Sequence, residues 1–180
     1  MTPMARRTSL REFQERLAER LAQASATRTE HWLVLPAAGH RLLLPLTDAS
    51  AIANEFTLAP VPRAPACYRG LANVRGNLIG VVDLCWLENH TPTQRSKRAQ
   101  LLVLATRLIE NTALLLPEAV GLRPLESFTP MEHPLSRPWH VRAYRAPDDD
   151  RPCILIDASR LITDPLFYGI DSGSSLLGSS

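Results

Sequence analysis

Apolar and polar positions along the chain follow two different periods. Between Thr8 and Ala24, Leu10, Phe13, Leu17 and Leu21 recur at helical spacing, with arginines and glutamates filling the other faces. Ser9 with Glu12 three residues later forms a capping box, so the spacing predicts an amphipathic helix over 8–25. From His31 the period shortens to apolar runs broken by Gly, Pro and Asp. Trp32–Leu35 and Arg41–Leu46 are expected to pair as strands across the Pro36–Gly39 turn, with a weaker strand over Ala51–Phe56. Leu78 to Trp86 is apolar on both faces, which predicts a strand covered on both sides. Further strands are expected at Gln100–Thr106, Ala113–Leu116 and Glu118–Leu122, and a loop over the proline-rich Phe128–Pro138. Trp139–Tyr144 and Pro152–Ile156 fit a hairpin, and Asp157 can cap a short helix through Ile162.

Many short strands with little helix between them indicate a mainly β fold of antiparallel barrel or sandwich type. The polar stretch at 91–98 divides the β region, so two small packed barrels fit the pattern, with a domain expected over 31–167. The ends, 1–7 and the Gly/Ser-rich 172–180, have the composition of flexible segments.

Composition narrows the function more than the fold. With 180 residues, 45% hydrophobic and 21% charged, the chain can bury a core without disulfides or metal. Of the 20 basic residues only Lys97 is lysine, but the arginines are interleaved with 18 carboxylates. A nucleic-acid stripe is therefore not indicated, and Arg95–Arg98 fits a solvated linker. Cys67, Cys85 and Cys153 have no paired spacing and sit among apolar residues, as small hydrophobes do. His31, His40, His90, His133 and His140 show no metal-ligand spacing and are expected to be exposed. The Asp148–Asp150 run is expected to be a solvated hairpin tip, and Ser50 and Ser159 lack an elbow motif. No phosphate-binding glycine loop is present, so neither an enzyme nor a bound cofactor is indicated. The amino-terminal region carries no apolar signal core, and no run approaches a bilayer span; the expected location is cytoplasmic.

The segment Val61–Leu84 carries most of the information. Pro62 and Pro65 keep its entry extended, and Gly70 and Gly76 give backbone freedom at either end of Leu71–Arg75. Asn73 can bond its own backbone, which leaves Arg75 at the lip of a rigid loop ahead of a buried strand. Asp83, inside that strand, needs a donor, and Arg75 is one candidate.

The pattern VPxxPxxxxGLxNxRGxxxxVxDL over these residues resembles the signature of the CheW-like chemotaxis coupling proteins. HWLVLPAAGHRLLLPL resembles that family's first hairpin, and ALLLPEAVGLRPLESFTP and RPCILIDASRLITDPLF its second half. The leading helix and the ending SRLITDPLF are more similar to the coupling proteins of type IV pilus (twitching) systems, the PilI type, than to the flagellar ones. The resemblance implies two packed, five-stranded SH3-like barrels without catalysis, bridging a chemoreceptor's cytoplasmic tip to the regulatory domain of a sensor histidine kinase. It puts Asn73, Val74, Arg75, Gly76 and Asp83 in the partner-binding motif, with Arg75 the polar residue tied to coupling. Two departures stand out: Cys67 where the family has a large residue, and Ala51 in place of a receptor-contacting acid. The alternatives are a diverged paralogue that binds only kinase or only receptor, and a small β-barrel ligand binder or enzyme.

Overall fold

The computed structural model describes residues 30–94 and 96–169. The helix expected over 8–25 and the tail from 172 lie outside the described residues. Among the described residues, twelve strands and two short α-helices follow one another in the order β1 (His31–Ala37), β2 (His40–Pro45), β3 (Ala49–Ala53), β4 (Leu58–Ala59), β5 (Tyr68–Val74), β6 (Asn77–Asp83), α1 (Leu84–Asn89), β7 (Gln100–Leu104), β8 (Thr112–Leu116), β9 (Gly121–Pro124), β10 (Thr129–Met131), β11 (His140–Ala146), β12 (Asp149–Ile156) and α2 (Ala158–Thr163). The fold is thus mainly β, as the periodicity predicts.

The strands form two sheets, ordered β9-β1-β2-β12-β11-β10 and β3-β7-β8-β6-β5-β4. Position by position the two orders share one plan. In each sheet a long hairpin, β11–β12 or β5–β6, ends in an aspartate that caps a short helix. In each, the second hairpin strand then pairs in parallel with the middle of the sheet, β12 with β2 and β6 with β8.

Strand alternation builds three cores rather than one. Along β1, Trp32 and Val34 face their own sheet's interior, while Leu33, Leu35 and Ala37 face the other sheet. Along β7 and β8, Leu101, Val103, Ala113 and Leu115 line the second sheet's interior, while Leu102, Leu104, Leu114 and Leu116 join the shared layer. A period-2 strand between two apolar layers needs apolar residues on both faces, which explains the unbroken runs. Leu35, Leu42, Leu44, Leu102, Leu114 and Leu116 in the shared layer are all fully buried, at about 2 kcal/mol each relative to exposure.

Four local expectations are corrected. The apolar run 78–86 is not one strand: Asp83 accepts the Trp86 amide and turns the chain into α1. The predicted strand 118–122 begins only at Gly121, and the predicted loop 128–138 contains β10, an edge strand where Pro130 costs no ladder bond. The polar stretch at 91–98 does not separate the barrels, because α1 before it and β7 after it both continue the second sheet's connectivity. The second sheet is instead inserted between β2 and β9 of the first.

Candidate functional site

The Val61–Leu84 segment forms the β5–β6 hairpin. Val74 pairs with Asn77, leaving Arg75 and Gly76 as a two-residue turn with φ of 52° and 87°. Positive φ at both positions is the type I′ geometry that matches strand twist. Gly76 takes it without strain, whereas an L-residue such as Arg75 gives up roughly 1 kcal/mol there. The Asn73 Oδ1 accepts the Gly76 amide at 2.9 Å and locks the turn. At the other end of the strand Gly70 (φ 122°) lies so close to β4 that a Cβ would stand 2.2 Å from the Ala59 carbonyl oxygen.

Asn73, Arg75 and Gly76 are exposed at this tip, and the Arg75 side chain has no hydrogen-bond or ion-pair partner among the described residues. Leu78, two residues into β6, is 62% exposed beside them. The sequence reading missed Leu78; the signal was available, because alternation puts it on the opposite face from the buried Ile79.

The other nominated residues point inward. Val74 belongs to the second sheet's interior, and Ala51 packs against the same core, while its neighbour Ile52 faces out. The structure therefore gives neither Val74 nor Ala51 an outward side chain. Asp83 is fully buried and does not meet Arg75, which sits at the opposite end of β6, roughly 25 Å away along an extended strand. Its partners are Arg69 Nη1 (3.0 Å), the Thr93 amide (2.8 Å) and hydroxyl (2.6 Å), and the Trp86 amide (3.2 Å). Asp83 thus ties β5, α1 and the following segment together and leaves the hairpin tip unpaired.

Chemistry the sequence placed in solvent is partly internal. His140 is buried and His40 half-buried, both against the carboxylate of the fully buried Glu88. Glu88 Oε2 lies 3.0 Å from the Nε2 of each histidine, and its Oε1 accepts from Trp139 Nε1 at 2.9 Å. Burial alone would push this carboxyl up, but the hydrogen bonds from His140, His40 and Trp139 prevail and hold it down to about 2. These partners lie some fifty positions apart in sequence, so spacing gave no signal. The Asp148–Asp150 run does sit at the tip of the β11–β12 hairpin, with Asp148 and Asp150 exposed, while the half-buried Asp149 pairs with Arg41 and Arg151, and Asp148 pairs with Arg123. All three cysteines are free and buried, and burial raises the thiol pKa of Cys67 and Cys153, which suits packing rather than nucleophilic work.

Two six-stranded sheets of one plan, sharing a core and each filled by its own side chains, define a double-barrel docking fold. The CheW-like domain family matches residues 31–166, and the chain belongs to that family, a class of non-catalytic scaffolding modules. Among solved structures it is similar to the scaffolding protein TtCheW from Thermoanaerobacter tengcongensis, with 20% identity, a TM-score of 0.59, and coverage of 76% of this chain and 94% of that one. At that identity the likeness establishes the fold. No curated protein matches the chain significantly. Among the described residues no helix is long and apolar enough to cross a membrane.

Proposed function

We propose that the chain is a cytoplasmic coupling adaptor that docks the tip of a membrane chemoreceptor and the regulatory domain of a sensor histidine kinase, in a type IV pilus pathway. One observation carries the reading. An arginine is held at left-handed φ on a hairpin tip, exposed and without a partner among the described residues, beside the exposed Leu78. Asn or Gly would fill that turn at lower cost, so the position retains a charged side chain against backbone preference. Asn73, Arg75 and Gly76 supply the docking surface, and Val74 and Asp83 act beneath it by fixing the hairpin. Signal passes as a shift in the kinase's conformational population, with affinity raised by multivalent arrays. The pilus assignment rests on the ending SRLITDPLF, which forms α2 and the turn after it.

The test is recovery of the chain with a receptor tip and with a kinase regulatory domain, each measured separately by calorimetry. Arg75→Glu is expected to keep the circular dichroism spectrum and lose binding at least tenfold; unchanged binding to both partners overturns the role of Arg75. A second reading, a paralogue that binds kinase alone, is favoured by β3, whose outward residues are Ser50 and Ile52 and which carries no carboxylate. Binding to the kinase domain with none to any receptor tip selects it.

A further inference from the structure

We propose that His40, Glu88 and His140 form a binding site for one divalent transition-metal ion of the zinc type, joining the two barrels. The donors come from three elements: His40 opens β2, His140 opens β11, and Glu88 lies in the last turn of α1. Two of these belong to the first sheet, and α1 continues the second, so an ion here would bind across the shared core.

Geometry supports it first. The two imidazole Nε2 atoms each stand 3.0 Å from the same Glu88 oxygen, and all three donor atoms lie within 4.8 Å of one another. Nitrogen and oxygen donors at ~2.0–2.1 Å from a tetrahedral ion stand roughly 3.3 Å apart, so small side-chain adjustments suffice. Two imidazoles and one carboxylate are a donor set for zinc, cobalt(II) or nickel(II), not for magnesium or calcium. Trp139 Nε1 holds Oε1, which orients the carboxylate and leaves Oε2 toward the histidines, as outer-shell partners of metal ligands do.

Charge leads to the same conclusion. The Glu88 side chain is fully buried, yet no Arg or Lys reaches its carboxylate among the described residues. Arg137, the nearby cation, donates through Nε to the Glu88 backbone carbonyl at 3.0 Å instead. A dication held among these donors would balance the buried carboxylate.

Proton accounting runs the other way but is weaker. His140 Nδ1 is buried without a partner, so with Nε2 on the metal its proton would sit at Nδ1 with no acceptor. One unmet N–H lowers affinity without cancelling three metal–ligand bonds. The His40 side chain, 21% exposed, leaves a path for entry and room for a water as fourth ligand.

The inference does not depend on the docking reading. The untagged full chain, stripped with chelator, is titrated with Zn²⁺ against a chromogenic competitor and with Co²⁺ under visible absorption. One ion per chain, cobalt bands of four-coordinate intensity, and a rise in unfolding temperature with Zn²⁺ are expected. His40→Gln, partly exposed and still able to donate to Glu88, is expected to fold and to lose at least about tenfold in affinity. No uptake at micromolar Zn²⁺, meaning the cluster is a hydrogen-bond network only, overturns the proposal. So does undiminished binding by His40→Gln, which would put the ion at other residues.

Discussion

Replacing Asp83 with alanine isolates what holds the hairpin to the rest of the barrel. The carboxylate accepts four hydrogen bonds from a fully buried position. Loss of the cap on α1 costs about 0.5–2 kcal/mol. Thr93 is 4% exposed, so its amide and hydroxyl lose their acceptor away from water, at about 1–3 kcal/mol for each group left unmet. Removing one member of a buried ion pair costs about 3–5 kcal/mol, but the Arg69 side chain is 22% exposed and can recover hydration, which discounts that figure. These contributions overlap, and their combined loss is about 4 kcal/mol. For a chain of this length that lowers the unfolding temperature by roughly 8–16 °C. The fold supplies its own control. Asp157 is the counterpart in the other sheet, but its side chain is 36% exposed and accepts only the Ser159 and Arg160 amides plus a loose contact to Arg160. Asp157→Ala should cost about 1 kcal/mol. Urea unfolding followed by tryptophan fluorescence measures both variants. The reasoning is refuted if Asp83→Ala proves no more damaging than Asp157→Ala, since burial and bond number are then not what distinguishes them.

Three further outcomes follow from single positions. Gly70→Ala puts a Cβ 2.2 Å from the Ala59 oxygen and should cost at least about 3 kcal/mol, whereas Gly76→Ala, with nothing within 4 Å, should cost about 1 kcal/mol from backbone strain alone; equal midpoints in urea would contradict the clash. Arg75→Asn should raise stability by about 0.5–1 kcal/mol while weakening partner recovery, and a variant that gains in both would remove the case for retained strain. Hydrogen bonds from Arg151 and Arg41 hold the Asp149 carboxyl well below its ordinary value near 3.8. Its contribution is therefore complete above that value and lost as pH falls below it, so Arg41→Ala/Arg151→Ala should flatten the urea midpoint's decline between pH 5 and 2.5.

What the sequence revealed and what it concealed follow from the range of each interaction. The Asn73 lock and the Asp157 cap are contacts within a few residues, and residue type is sufficient to specify them. The rigid loop read over Leu71–Arg75 is instead mostly the end of β5, with the tight turn confined to Arg75–Gly76. The doubly apolar strands were legible too, because burial on both faces leaves an unbroken run whatever covers it. The end of β6 was not legible: Leu84, Cys85 and Trp86 suit a covered strand as well as a short buried helix, and the choice is made by Asp83 capping α1. Asp83 was correctly marked as needing a donor, yet nearness in sequence favoured Arg75, while pairing across the hairpin delivers Arg69. The interleaving of the sheets depends on two parallel pairings, β12 with β2 and β6 with β8, and a parallel register leaves no turn signature.

The same limit governs the histidines. Next to Gly39, His40 resembles any residue in a polar turn, and His140 becomes internal only because β11 brings it against α1. Nothing in the sequence sets Glu88 beside either histidine, so it drew no reading at all. Its burial is the larger departure from expectation, because among the described residues no arginine or lysine reaches its carboxylate, in a fold where Asp83 and Asp149 both have arginines. If the barrels needed only to pack against one another, a leucine at that point would do so without desolvating a charge. Three convergent donors at the junction of β2, α1 and β11 make that exception consistent with a bound cation, and the docking hairpin sits on the sheet that such an ion would fasten.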